Sequence, residues 1–377
     1  MKKKVIIFAN TLWFLEKFKF ELIENLSNNY FIDCIFLRKG TSLDQKKIEY
    51  LQSKGVKFKK LTLLLSLKYI FKNFYTLKIF QKKPHSTTIS NVIVFTIGPI
   101  VISSMIFWNL HNSTIIVLEG LGRVFSSHLI FFRFFKRLLL IFYKIYFKRC
   151  KYIVTLNYSD STYLSELGIV SKIKIKTIPG TGLNTKFFDG LKIYKDKEPQ
   201  YVDFIARLLP DKGFDLYINT KIYLNKFHPK FSKINPFRII TPQTDLDKIS
   251  PSEKQFIKSL GIELKPYLSN QLEYLKNSKA ILIPTKYGEG LSRVVMESIY
   301  LGIPILVTRN QGTEEVLPYK YKYFIKSFNP SSIGKQLIEM VDDKLYFDDI
   351  YSSQKEFLKN NYSTDSSIKS FISLIYG

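Results

Sequence analysis

A chain of 377 residues is long for a single core and suits two domains of about 150–200 residues each. With 46% apolar and 23% charged residues it is not a disordered chain. Its two cysteines, Cys34 and Cys150, lack metal-ligand spacing and exclude a disulfide framework. The net charge of +26 is uneven: residues 1–190 hold 30 basic against 10 acidic side chains, a net of +20, and residues 191–377 hold 27 against 21, a net of +6. A basic first half predicts an anionic partner, whether phospholipid headgroups, a diphosphate-bearing substrate or nucleic acid.

The chain opens on Lys2-Lys3-Lys4 and an apolar run, but Asn10 and the charges from Glu16 onward interrupt it before any export-signal pattern is complete. Apolar, strand-like runs then alternate with amphipathic stretches, the pattern of a parallel sheet with crossover helices. Strands are predicted at 5–9, 32–36, 56–61, 92–97, 114–118, 152–156 and 173–178. The uncharged run 92–108 is nearly long enough to span a bilayer, but Gly98-Pro99 divides it into a buried strand and a buried helix. Residues 128–149 mix aromatics with six Arg/Lys, the composition of an interfacial amphipathic helix or of a core helix with a basic outer face. A polar stretch, 187–200, carries Gly190 and Pro199 and marks a linker. A second strand series follows at 202–206, 238–241, 262–265, 280–284, 304–308 and 323–326, and two such series predict two doubly wound domains. Residues 363–376 read as an amphipathic helix.

Four constellations carry chemistry. In YGEGLSRVVMES (287–298) the glycines allow backbone approach to a ligand, Ser292 can cap a helix, and free N–H groups there suit a phosphate. Glu289 and Glu297 would grip two sets of hydroxyls on either side of it, against the plain alternative of a loop acid and a solvated helix acid. FIARLLPDKGFD (204–215) ends a strand with Arg207 and Lys212, two cations suited to a pyrophosphate at a sheet edge, or simply an exposed basic loop. VTRNQGTEEV (307–316) offers a turn at Gly312 and a hydroxyl acceptor in Glu315. IPGTGLNTKFF (178–188) is a strand-end turn. A D-x-D, Asp245 and Asp247, follows Pro242 in a polar loop and reads as ordinary surface.

Together these residues resemble glycosyltransferase family 4. The E-x7-E of that family is matched by Glu289 and Glu297, its Arg/Lys pair by Arg207 and Lys212, and its strand–Gly–Glu segment by PILVTRNQGTEEV. ANTLWFLEKFKFELI (9–23) and LEGLGRVF (118–125) are similar to a bacterial subgroup that adds N-acetylhexosamines or related sugars to undecaprenyl-diphosphate-linked saccharides. The resemblance implies an α/β GT-B fold: two Rossmann-like, doubly wound parallel-sheet domains facing across a cleft. Residues 1–188 would bind the acceptor, 189–360 the nucleotide sugar, and 361–377 would form a helix packing back on the first domain. Arg207 and Lys212 would neutralise the leaving nucleoside diphosphate, Glu289 would hold the donor sugar, Glu297 the ribose, and amides near Gly290, Leu291 and Ser292 a phosphate. No metal or other cofactor is implied, because the Arg/Lys pair stands in for one. UDP is the implied nucleotide.

Two departures from the family are visible. None of His85, His111, His128 and His228 matches the donor-facing His of many members. Glu119 stands before Gly-Leu-Gly where the subgroup often has Thr, so Glu119 is expected to orient the acceptor or take its proton, or else to be a structural loop acid. Arg133, Lys136, Arg137 and Lys144 are expected to meet anionic lipid on the cytoplasmic face of a bacterial plasma membrane, where a lipid-diphosphate acceptor resides. The competing readings are another nucleotide-sugar enzyme, such as an epimerase, which would need more acids than the first half supplies, and a nucleic-acid-binding protein, for which no RNP, KH or helix-turn-helix signature is present.

Overall fold

The computed structural model describes residues 2–40, 43–61, 89–121, 130–190, 200–267, 272–286 and 290–376. Chain contacts divide it into two compact units, residues 1–182 with 364–377, and residues 183–363.

The first unit is built on seven parallel strands: β1 (Lys4–Thr11), β2 (Phe31–Arg38), β3 (Lys57–Lys60), β4 (Ile89–Phe95), β5 (Thr114–Leu118), β6 (Tyr152–Thr155) and β7 (Ile175–Thr177). Their order is β3-β2-β1-β4-β5-β6-β7, so the winding direction reverses between β1 and β4. The central strands are apolar along their length because crossover helices cover both faces of a parallel sheet; every residue of β5, TIIVL, is buried. At the edge, β3 reads KFKK, and Lys59 with Lys4 meets the buried Asp33 of β2 at 2.9 Å each. Gly98 and Pro99 lie within the first turn of the helix Ile97–Ile106, where Pro costs no helical hydrogen bond. Among the described residues no helix is long and apolar enough to cross a membrane.

The helix Thr364–Tyr376 belongs to this unit. Asn91 Nδ2 and Lys151 Nζ donate to the Ile375 carbonyl at 3.2 and 3.4 Å, satisfying an oxygen left open in the last helical turn. Phe371 packs on Phe95 of β4, with ring centroids 6.1 Å apart.

The second unit has five parallel strands, β8 (Tyr201–Ile205), β9 (Phe237–Thr241), β10 (Ile262–Pro266), β11 (Ser278–Ile283) and β12 (Ile305–Val307), in the order β10-β9-β8-β11-β12. Here the reversal lies between β8 and β11. A buried ion pair ties the sheet crosswise: Arg238 of β9 donates from Nε and Nη2 to both oxygens of Asp203 on β8, each at 2.8 Å, and Ser278 of β11 donates to the same carboxylate. The strand predicted at 323–326 is reduced to a single bridge, Val307 to Phe324. The predicted linker begins inside this unit, where the helix Thr185–Asp189 is anchored by Tyr300 and Lys359 on Asp189; residues 191–199 lie outside the described residues.

Candidate functional site

In a doubly wound sheet, ligands bind beyond the carboxyl ends of the strands where the winding reverses, because the two loops there part and leave a crevice. In the second unit those loops follow β8 and β11. The β8 loop carries Arg207 and then a single 3-10 turn, Pro210–Lys212, closed by Gly213 at φ +76°. Gly213 is required twice over: its φ disfavours any side chain, and a Cβ would stand 2.1 Å from the Pro284 carbonyl oxygen of the β11 loop. The loops are also bonded to each other, with Lys286 N donating to the Asp211 carbonyl at 2.7 Å and Lys286 Nζ 2.8 Å from Asp215. The backbone that presents Arg207 and Lys212 is therefore fixed against the segment leading to the predicted helix cap.

Arg207 does not hang free. Asp245, just after β9, accepts from its Nε at 3.3 Å, from Nη2 at 3.2 Å and from the Leu208 N–H at 3.1 Å. Burial pushes the Asp245 carboxyl up, but the Arg207 guanidinium and the Leu208 amide together hold it below the usual range. This corrects the reading of Asp245 as surface. Its side chain is buried, aimed back under the β8 loop by the short helix Gln243–Leu246, whereas Asp247 only accepts from exposed Gln243. Beside this loop a depression of about 530 Å³ is lined by Leu208, Phe214, Ile218, Ile249, Phe256 and Asp245 among others. Lys212 is half-buried at the end of its turn.

Beyond β11, Glu289 lies outside the described residues. Gly290 and Ser292 are buried and Leu291 half-buried. Ser292 occupies the N-cap of the helix Arg293–Leu301 with extended backbone and makes no side-chain cap bond; the amino end of a helix is a position that suits a phosphate. Glu297, one turn in, is buried and accepts from Arg293 Nε at 2.8 Å. After β12, Asn310 and Thr313 form a reciprocal capping box. That box makes residues 311–314 a short helix, so the turn at Gly312 is a buried helical one, and Glu315 follows it half-buried. Among the described residues no cluster of three metal-ligating side chains is present.

In the first unit Glu119 directly follows β5 and is itself followed by Gly120 at φ +115°. Its carboxylate pairs with Lys19, 2.8 Å away, a residue that sequence reasoning missed. Asp160, at the start of the helix Tyr158–Glu166, takes a backbone hydrogen bond from Leu121, and burial pushes its carboxyl up to about 6 against that bond and one from Asn157. Gly122 lies outside the described residues.

The basic segment forms the helix Ile130–Tyr146, of which the Arg133 side chain is outside the described set. Its inner face buries Tyr143 and Tyr146, and Phe147 follows, stacked on Tyr143 at 4.2 Å. Arg137, Lys144, Lys148 and Arg149 are exposed, and so are Leu138, Ile141 and Ile145 between them. Lys136 is different: it folds back, half-buried, over the Tyr163 ring at 5.4 Å.

The profile of the family "Glycosyl transferases group 1" matches residues 191–363, which lie within the second unit. An uncharacterized 42.6 kDa protein in the cps region of Klebsiella pneumoniae is 27% identical over 169 residues. That match covers 44% of this chain and 39% of the relative, so the chain spans well under half the length of the curated protein it matches. Among solved structures, HepE of Anabaena in complex with UDP and glucose superimposes with a TM-score of 0.74 at 11% identity, over 100% of both chains. A glycosyltransferase from Rickettsia africae gives 0.74 at 14% identity, over 100% of this chain and 98% of its own. The fold is GT-B, and with the group 1 domain it supports a glycosyltransferase.

Proposed function

We propose that the chain is a retaining, metal-independent glycosyltransferase that moves a hexose or N-acetylhexosamine from a UDP-sugar to a lipid-diphosphate-linked saccharide in the assembly of a bacterial surface polysaccharide. The observation that carries this reading is the lock at the β8/β11 reversal. It holds a braced Arg207 and the Lys212 turn against the segment that leads to the amino end of the helix Arg293–Leu301. Two cations on a fixed backbone and the positive end of a helix dipole are what a departing diphosphate needs, since charge appears on it as the sugar bond breaks and fixed charges need no reorganisation then.

In this reading Arg207 and Lys212 carry that charge, Glu289 holds the sugar, Glu297 the ribose, Gly290 to Ser292 a phosphate, and Gly312 and Glu315 border the donor. The depression beside Arg207 has room for a nucleoside. The UDP in the Anabaena complex supports UDP over other nucleotides, and the cps-region relative supports capsule over other polymers. Glu119 meets the acceptor hydroxyl. The exposed face of the helix Ile130–Tyr146 carries cations around an apolar stripe, which suits the cytoplasmic surface of an anionic bilayer.

The test is a panel of UDP- and GDP-sugars with a short polyprenyl-diphosphate saccharide, followed by product release and anomeric configuration. Transfer from a UDP-sugar with retained configuration supports the reading. Interconversion of the nucleotide sugar without transfer would favour an epimerase, and no consumption of any donor would reject both.

A further inference from the structure

The first unit has its own winding reversal, between β1 and β4, and a buried cation stands there that the reaction scheme above does not use. Thr11 caps the helix Leu12–Phe18 directly off β1, with Phe14 N donating to its hydroxyl at 3.0 Å. That helix stops, and the helix Phe20–Ser27 starts, on either side of Lys19, whose backbone at φ −126° and ψ 8° is not helical. The break turns the Lys19 side chain inward until it is 1% exposed, while Lys17 two residues earlier stays half-buried.

A buried ammonium is costly unless something repays its lost hydration. Neighbouring groups do so here, the Phe14 ring at 5.3 Å among them. Nζ is 2.8 Å from Glu119 Oε1, donates to Thr181 Oγ1 at 3.3 Å, and sits over the Phe95 ring at 4.6 Å from its centroid. Glu119 directly follows β5, Phe95 ends β4 and Thr181 follows β7, so one cation gathers the carboxyl ends of three strands. Glu119 Oε1 is sealed from solvent and accepts no hydrogen bond among the described residues, which leaves the ammonium charge to satisfy it. Next to Phe95, Thr96 has φ +68° and ψ 152°, and it is the one non-glycine at positive φ among the described residues. Such backbone costs of order 1–3 kcal/mol and persists where surroundings force it, most often at functional sites.

We propose that Lys19 is a positioning residue for acceptor activation: it fixes the Glu119 carboxylate by one oxygen at the carboxyl edge of the first sheet, so that the other is presented to the acceptor hydroxyl. This rests on the reading of Glu119 as the acceptor contact. A salt bridge whose work was only to hold the fold would gain nothing from a glutamate side chain left 25% exposed at a strand end or from a strained neighbour.

The test compares Lys19→Met, Lys19→Arg, Glu119→Gln and the Lys19→Met/Glu119→Gln double variant by transfer kinetics, by calorimetric UDP affinity and by thermal midpoint. Misplacing a reacting group by about 1 Å costs roughly 10²-fold, so Lys19→Met is expected to lower kcat by that order with donor KM and UDP affinity unchanged. Lys19→Arg should recover most of it, and the double variant should be no slower than Glu119→Gln alone, because both changes break one coupled element. Should Lys19→Met not fold, Thr181→Val removes only the hydroxyl that the ammonium contacts, and a lowered kcat is expected there too. Wild-type kcat in Lys19→Met or Thr181→Val, or losses that multiply in the double variant, would overturn the inference. A wild-type chain that neither binds UDP nor transfers sugar would instead defeat the functional reading itself.

Discussion

Replacing Gly213 with Ala isolates what the β8/β11 lock is worth. The added methyl would meet the Pro284 carbonyl oxygen at 2.1 Å and its carbonyl carbon at 2.8 Å. Carbon and oxygen do not approach below about 3 Å without repulsion, so one backbone must withdraw by close to an ångström. The φ of +76° adds roughly 1–2 kcal/mol of conformational strain for any non-glycine. Gly302 supplies the control, because its φ is +74° in the same unit and a Cβ there meets nothing within 4 Å. Gly302→Ala therefore carries the strain alone and should lower the thermal midpoint of the second unit by about 2–8 °C, at roughly 2–4 °C per kcal/mol for a domain of this size. Gly213→Ala should fall further, since its clash is backbone on backbone with no flexible side chain to yield. It should also lose transfer activity by on the order of 10²-fold, the effect of moving Arg207 and Lys212 by that distance from the β11 loop, while Gly302→Ala keeps its kcat. Differential scanning fluorimetry and initial rates on the two variants decide it. Equal midpoints and equal rates would show that the loops are not mechanically joined and would refute the lock.

Other expectations follow from the same geometry. Lys212→Ala should reduce turnover by roughly 10²–10³, and wild-type activity should survive EDTA; activity lost on chelation and restored by magnesium would contradict a metal-free mechanism. Asp160 has a folded pKa of about 6 against 3.8 for the free side chain. The folded state thus holds this proton more tightly, and the stability it confers is complete below 3.8 and disappears as pH rises through about 6. Asp160→Asn should flatten that part of the pH dependence of the thermal midpoint, and an unchanged profile would show that Asp160 does not contribute to it. Flotation with anionic liposomes at low salt should carry the protein, and high salt or Ile141→Glu with Ile145→Glu should release it; equal binding to neutral vesicles would reject the charged docking face.

The strands were legible because parallel strands buried on both faces are continuous apolar runs, as TIIVL and AILI are. The KFKK edge and the bridge at Phe324 show the limit: an edge strand needs no apolar run, and an apolar run needs a free neighbour to become a strand. In the site, the glycines and cations were visible because motif spacing survives in the sequence. Asp245 was misjudged because its partner Arg207 is 38 positions away, and a D-x-D in polar company looks the same whether it faces water or a guanidinium. Lys19 was passed over for a similar reason. In EKFKF nothing separates Lys17 from Lys19; only the break between two helices turns one inward.

The division of the chain has a consequence for its synthesis. Residues 183–363 are contiguous, while the first unit is interrupted and needs residues 364–377 for its terminal helix. The outgoing and returning strands run side by side, with Leu183 N bonded to the Tyr362 carbonyl at 2.7 Å. A ribosome therefore delivers every residue of the second unit before the last piece of the first emerges. Until then Phe95 lacks Phe371, and the Asn91 amide lacks the Ile375 carbonyl it donates to. The nascent amino-terminal sheet must wait with that face uncovered through 181 further residues, about 10–40 s at ordinary elongation rates. Such a basic, apolar-faced intermediate is the kind of species on which chaperones act, and it is completed only when residues 364–376 emerge.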